Sequence, residues 1–137
     1  MGVSKFLIRH GTNIDRIQML LSDGVRQEYS PAQGGSGGSP AEWQVPEGQH
    51  VAQIEYRGGD RVDSVTFITD KGVKSPYFGG GGGTYHLETF PEGYRIVGFY
   101  GRSGDRVDQL GFVLAKTIYP SNSAPVVSLI RKNLIAE

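Results

Sequence analysis

The sequence predicts an all-β protein made of three copies of one strand–loop–strand unit, and three observations carry that prediction. First, three stretches share Arg, any residue, Gly, two variable residues, Ile or Val, then Asp: RHGTNID from Arg9, RGGDRVD from Arg57 and RSGDRVD from Arg102. Second, apolar residues alternate after each Asp. Asp15 leads Ile17, Met19 and Leu21; Asp63 leads Val65 and Phe67; Asp108 leads Leu110, Phe112 and Leu114. A period of two in β-branched and aromatic residues means a strand with one buried face. Third, the spacing is regular. Asp15 and Asp63 are 48 residues apart, and Asp63 and Asp108 are 45 apart. The 29 residues after Asp108, with the 15 up to Asp15, make a third unit of similar length. A fixed period of this size sets the architecture before any single motif is weighed.

Each unit has the same parts in the same order. A strand precedes the Asp loop: VSKFLIR at 3–9, HVAQIEY at 50–56 and YRIVGFY at 94–100. The last two follow Pro-Glu-Gly turns, at 46–48 and 91–93. After the Asp strand comes a glycine cluster, GGSGG at 34–38 and GGGGG at 79–83, each starting 29 residues before the next Asp. Polyglycine is ordinarily a flexible linker. A linker would not keep register with the strand motifs on both sides, so these clusters read as loops of the fold.

The tail, VVSLIRKNLIAE at 126–137, has Val127, Ile130 and Leu134 at helical spacing. Residue counting nevertheless leaves the third unit without its middle strands unless the tail supplies them. An uncovered edge beside Leu110, Phe112 and Leu114 would be an aggregation hazard. The tail is therefore expected to be at least partly strand. It is also expected to pair with both the Asp108 unit and the N-terminal strand, closing a single domain over residues 1–137.

A chain of 137 residues can bury a sizeable core. Fourteen basic and fourteen acidic side chains cancel, which argues against nucleic acid or an anionic membrane as partner. There is no cysteine, so thiolate chemistry and disulfides are excluded. No apolar run reaches membrane-spanning length, and the N-terminus has no signal-peptide core. The expectation is a protein that is not membrane-inserted, either cytoplasmic or released without a signal peptide.

The candidates for chemistry are few. Arg9-His10-Gly11-x-Asn13 resembles the opening of histidine phosphatases. His10 aligns with Gly58 and Ser103, however, so it occupies the variable position of the repeat. Neither His50 nor His86 has a flanking pattern that would make a second catalytic histidine. With no nucleophile–base pair in view, the chain is not expected to be an enzyme. Asp60 and Asp105 lie near Asp63 and Asp108, but two carboxylates per loop are too few for calcium's six to eight oxygens. No metal or cofactor is expected. For each repeat Asp the plain alternative is an Asx turn that caps its own loop. Trp43, just after the first glycine loop, reads as core, with stacking on a sugar as the alternative. Tyr77, Phe78 and Tyr85 flank the second glycine loop and fit either packing or ligand contact. Arg9, Arg57 and Arg102 read as ties between loops, through carboxylate or carbonyl bonds.

Three G-x-x-x-D motifs stand in register: Gly11-Thr12-Asn13-Ile14-Asp15, Gly59-Asp60-Arg61-Val62-Asp63 and Gly104-Asp105-Arg106-Val107-Asp108. Paired with glycine loops, they resemble the jacalin-related lectins, across roughly residues 3–119. VTFITDKG and GRSGDRVDQLGF look especially like the zymogen-granule lectin branch and the lectin modules of natterin-like proteins. The resemblance implies the β-prism I fold, three four-stranded Greek keys about a pseudo-threefold axis. Here it looks circularly permuted, because the chain begins one strand before an Asp loop. It also implies a mannose- or glucose-type lectin without catalysis, in which the Asp carboxylate takes two sugar hydroxyls. Main-chain N–H groups of the two residues after the motif Gly, and of the facing glycine loop, donate to the sugar. Site one would be Asp15 with Gly11, Thr12 and Asn13, facing Gly34, Gly35, Gly37 and Gly38. Site two would be Asp63 with Gly59, Asp60 and Arg61, facing Gly80, Gly81, Gly82 and Gly83. Site three would be Asp108 with Gly104, Asp105 and Arg106. Its facing loop should fall at Ala124 to Val127, where no glycine stands, so this site departs from the family pattern. The partners implied are mannose- or glucose-containing glycans and glycoproteins, and the resemblance leaves room for a homo-oligomer. It also allows a second reading, a glycan-targeting or interaction module of a larger protein.

Overall fold

A computed structural model describes residues 2–134, and these form twelve strands and no helix. The first unit contributes β1 (Gly2–His10), β2 (Ile14–Ser22), β3 (Gln27–Tyr29), β4 (Gln33–Gly34) and β5 (Ser39–Gln44). The second contributes β6 (Val51–Gly58), β7 (Val62–Thr69), β8 (Phe78–Gly79) and β9 (Thr84–Thr89). The third contributes β10 (Arg95–Ser103), β11 (Val107–Ile118) and β12 (Val126–Leu134).

Each unit makes one antiparallel sheet. The first runs β3-β2-β1-β5 with β4 also on β2, the second β8-β7-β6-β9, and the third β10-β11-β12. In the first two sheets the strand after the glycine loop returns to lie beside the unit's first strand, which is the Greek-key return. Among the described residues the third sheet has no such strand. Four strands per sheet were expected; the sheets carry five, four and three.

The threefold repeat extends to the irregularities. Register shifts fall at Val3/Lys5, Val51/Gln53 and Ile96/Gly98, and again at Arg9/His10, Arg57/Gly58 and Arg102/Ser103. The second set sits immediately before each Asp loop. A bulge there bends the strand and re-aims the residues that follow. The Pro-Glu-Gly turns close with Gln49 N–H to Pro46 O (3.1 Å) and Tyr94 N–H to Pro91 O (3.2 Å). Gly48 and Gly93 have φ of 78° and 84°, as the third position of a type II turn requires.

The alternating residues meet in one core. Phe6, Ile17 and Met19 come from the first sheet, Ile54, Val65 and Phe67 from the second, and Leu110, Phe112 and Leu114 from the third. Phe6 and Phe67 stack with ring centroids 4.0 Å apart. Trp43 packs against the same cluster and stacks on both rings, so its core reading holds.

The tail is a strand through Leu134, but its pairing corrects the expectation. Among the described residues β12 pairs with β11 alone, from Val126 opposite Ile118 to Leu134 opposite Leu110. β1 has its two sides taken by β2 and β5. With both edges of β1 filled there is no place for the tail beside it, and β12 is an edge strand, not a middle one. Residues 135–137 of the expected tail lie outside the described residues.

Candidate functional site

The three Asp loops have one geometry. Gly11 N–H bonds Asn13 O (3.1 Å), Gly59 N–H bonds Arg61 O (3.1 Å) and Gly104 N–H bonds Arg106 O (3.0 Å). Each Asp is the second residue of the strand that follows, in β2, β7 and β11. None of the three carboxylates accepts a hydrogen bond from its own loop among the described residues. Asp23 shows what such a bond looks like here: its Oδ1 accepts from Val25 N–H at 2.9 Å and Arg26 N–H at 2.7 Å. Those backbone bonds hold the Asp23 carboxyl below its usual range. Asp15, Asp63 and Asp108 are therefore not spent on Asx turns.

In the first two units the glycine loop wraps its own Asp. Gly35 N–H bonds Asp15 O and Gly80 N–H bonds Asp63 O, both at 2.9 Å. A Cβ on Gly37 would lie 3.2 Å from Asp15 Oδ1, and one on Gly82 would lie 3.3 Å from Asp63 Oδ1. Gly38 and Gly83 come closer: a Cβ on either would lie 2.5 Å from the Oδ2 of its Asp. Their φ values, 70° and 74°, are also in the left-handed region. Glycine is thus required there twice over, by approach and by conformation. Gly34 and Gly79 anchor the loops on β2 and β7, opposite Arg16 and Ser64. Gly81 has open space around its Cα.

An arginine fastens each glycine loop from below. Arg9 donates through Nε to Gly37 O (3.0 Å) and through Nη2 to Gly38 O (2.9 Å). Arg57 repeats this on Gly82 O (3.1 Å) and Gly83 O (2.8 Å). The tying role read from the sequence holds for these two. Arg102 has no loop to hold. It is exposed and makes no hydrogen bond among the described residues.

The units also interlock, which the sequence did not disclose. Asn13 Nδ2 of the first loop donates to Asp63 Oδ1 of the second at 2.6 Å. Gly79 N–H donates to Nδ1 of His10 at 3.0 Å, and that ring meets Phe78 edge-on. His10 is therefore a loop-rim residue that ties two units. A Cβ on Gly80 would strike the Thr12 backbone, and one on Gly35 would strike the Asp105 backbone. The nearest signal in the sequence is that Asn13 stands where the other two loops carry Arg61 and Arg106.

The third site lacks its second half. The facing loop expected at Ala124 to Val127 is at the wrong end of the sheet. Val126 and Val127 open β12 opposite Ile118 and Thr117, the first of these ten residues along β11 from Asp108. At about 3.3 Å per residue that is roughly 33 Å away. The long β11–β12 hairpin, not a glycine loop, occupies this stretch. Asp105 and Arg106 are exposed, and Asp108 is half-exposed. In site two, Asp60 is exposed and Arg61 half-buried, while Asp63 is only 9% exposed. Phe78 belongs to the core, whereas Tyr77 and Tyr85 are exposed beside the second glycine loop. Among the described residues no group of three or more His, Cys, Asp or Glu side chains comes together.

Comparison with known proteins adds to this geometry. The family model described as the Jacalin-like lectin domain matches residues 1–113. AcmJRL, a mannose-binding jacalin-related lectin from Ananas comosus, is similar at 28% identity and a TM-score of 0.73, over 83% of this chain and 82% of its own. Malaysian banana lectin is 25% identical with a TM-score of 0.70, over 82% of each chain. Artocarpin, in a complex with methyl-α-mannose, shares the fold at 21% identity, with a TM-score of 0.75 over 83% of each chain. No curated protein sequence matches this chain.

Proposed function

This chain belongs to the jacalin-like lectin domain family, a family of non-catalytic carbohydrate-binding proteins, and from that premise we propose that it binds mannose- or glucose-type glycans at two sites, Asp15 and Asp63. The observation that carries the proposal is the state of the Asp63 carboxylate. It is buried and walled by Gly82 and Gly83, yet it has one hydrogen-bond partner, Asn13. An ionised carboxylate has room for about four acceptor contacts. Asp63 Oδ2 is not sealed from solvent, so a ligand that brings donors can reach it.

A pyranose supplies them. Neighbouring hydroxyls converge on one carboxylate and form charge-assisted bonds. Backbone N–H groups of the Asp loop and the glycine loop return the donors that the sugar oxygens need. These groups are fixed in direction and lose no side-chain entropy on binding. The absent Cβ at Gly38 and Gly83 lets the ring approach the main chain. The bond from Asn13 holds the Asp63 carboxylate in one orientation before the sugar arrives. AcmJRL, the mannose-binding lectin from Ananas comosus at 28% identity, supports this choice of ligand.

The test is titration calorimetry with methyl-α-mannoside and methyl-α-glucoside. The wild type should show two sites. Asp63→Ala should remove one and leave the fold intact, because the side chain lies at a loop end and no core strand depends on it. Each bond to a charged group contributes about 1.5–3 kcal/mol, so the loss at that site should exceed about a hundredfold. Unchanged stoichiometry and affinity would refute the assignment.

A further inference from the structure

The tip of the β11–β12 hairpin, at the end of the molecule opposite the Asp loops, is apolar. Ile118, Tyr119, Val126, Val127 and Leu129 are 42–76% exposed. Among the described residues β12 exposes three large hydrophobic side chains, more than any other strand. A gathered apolar surface of this kind marks an interaction site. The match to the jacalin-like domain ends at residue 113, so the family does not account for it. We propose that residues 126–130 form a homodimer interface, in which this segment pairs antiparallel with the same segment of a second copy about a twofold axis at Ser128. The pairing depends on neither sugar site.

The edge of β12 is open and unguarded. Among the described residues it pairs with β11 alone, in unbroken register from Val126 to Leu134. Exposed edges are ordinarily shielded by short length, a proline, a bulge or charged side chains. β12 has nine residues, no proline and no bulge. Its two charges, Arg131 and Lys132, stand in its second half and are engaged within the chain. The Arg131 guanidinium lies over the Tyr100 ring, 5.0 Å from its centroid, and Lys132 Nζ pairs with Glu88 Oε1 at 2.9 Å. The first half, Val126-Val127-Ser128-Leu129-Ile130, carries no charge and is rich in β-branched residues, which favour pairing.

The symmetry of that half selects a second copy as the occupant. A twofold contact needs a segment that complements itself. With the axis at Ser128, Val126 of one copy falls opposite Ile130 of the other, and Val127 opposite Leu129, each pair occurring twice. Opposed residues share a sheet face, so Val127 and Leu129 of both copies cluster on the face away from the buried Leu134. Arg131 falls opposite Pro125, outside the apolar pairs, and no cation meets a cation. An axis at Leu129 or Ile130 would instead set Arg131 and Lys132 among Val126, Val127, Ser128 and Leu129, where charge is costly. The two third sheets then join into one of six strands. Contacts of Thr12 with Gly80 and of Asp105 with Gly35 gather the Asp loops at one end of each copy. Ser128 is opposite Lys116, eight residues along β11 from Asp108. At about 3.3 Å per residue, the Asp108 loops of the two copies stand roughly 50 Å apart and point in opposite directions. Such a dimer bridges two glycan-bearing surfaces when its loops bind sugar.

The experiment combines sedimentation with disulfide trapping of the full chain. Wild type should sediment as a dimer. Leu129→Lys, at a side chain exposed in the single copy, should sediment as a monomer with an unchanged circular dichroism spectrum. The chain has no cysteine, so an introduced one can pair only with its copy in another molecule. Ser128→Cys should form an interchain disulfide in oxidised glutathione buffer, because opposed strand residues have Cα atoms about 4.5–5.5 Å apart, within disulfide reach. Arg131→Cys should not, because the two copies of residue 131 are offset along the ladder by roughly 20 Å. A wild type that stays monomeric up to millimolar concentration would overturn the inference. So would a dimer that Leu129→Lys leaves intact, or one in which Ser128→Cys cross-links no better than Arg131→Cys.

Discussion

Units two and three carry the same pentapeptide, GDRVD, at 59–63 and 104–108, and fold it into the same turn. Everything around it differs. Asp63 is buried behind a glycine loop, whereas Asp108 is half-exposed beside none. Arg57 grips two loop carbonyls, whereas Arg102 is exposed and makes no hydrogen bond among the described residues. β6 is paired on both sides, by β7 and β9, whereas among the described residues β10 pairs with β11 alone. The comparison teaches that the Asp loop is a stable turn in its own right. The proposed sites have in addition a second loop that lies against the carboxylate and is itself held down by an arginine.

The strongest way to break this comparison is to remove what the third unit has in place of a glycine loop. Deleting the chain from Val126 onward strips Leu134 and Ile130 from the core and bares the edge of β11. Loss of one buried Leu alone costs about 2–5 kcal/mol. Such a truncation should lose soluble protein, or melt more than about 5 °C lower in calorimetry. A monodisperse truncation with an unchanged melting temperature would show that β12 is an appendage.

A smaller change sharpens the contrast from the other side. Gly83→Ala places a methyl group 2.5 Å from Asp63 Oδ2 at a positive φ. The added carbon would also lie 2.6 Å from Gly58 O, so the substitution should cost more than the left-handed conformation alone, about 1–2 kcal/mol. In titration it should silence site two and spare site one. Gly104→Ala, with nothing within 4 Å of the added carbon, should leave sugar binding unaltered. If the two substitutions behave alike, the glycine loop is not what separates the units.

The arginines give the finest test. Arg57→Ala releases two carbonyls of the second glycine loop, and each lost bond to a charged group is worth about 1.5–3 kcal/mol before solvent makes good part of it. Affinity at site two should fall about tenfold. Arg102→Ala should change stability by less than about 0.5 kcal/mol and binding not at all. Equal effects in denaturant melts and titrations would mean that Arg57 is as idle as Arg102.

Much of this was legible because the chain repeats. The positions of Asp15, Asp63 and Asp108, the strands around them and the glycine loops all follow from alternation and spacing, which are local. The arginine clamps were legible too, since Arg9 and Arg57 recur at one offset from a glycine. What stayed hidden depends on how the units rotate about one another. No pattern says that Asn13 crosses to Asp63 or that His10 meets Gly79. The tail shows the limit of counting. Arithmetic required another strand near Leu110 to Leu114, and β12 is that strand, but arithmetic does not choose an edge. The edge was decided by β5, which already fills the free side of β1.

The interlocked loops have a consequence for where this protein tolerates extra chain. Thr12 lies against Gly80, and Asp105 lies against Gly35, each close enough to exclude a single methyl group. Residues inserted at 12 or 105 would therefore wedge a neighbouring loop off its carboxylate, emptying a site in the next unit. The loop at 59–61 has no glycine loop behind it among the described residues, since that is the place the third unit leaves open. Chain added between Asp60 and Arg61 projects into solvent. A peptide epitope grafted there should leave binding at Asp15 unchanged, while the same graft after Thr12 should cost binding at Asp63, a difference that titration of the two chimeras would read directly. This turn is thus, among the described residues, the one of the three where added chain meets no neighbouring glycine loop, and the site it would disturb is its own, at Asp63.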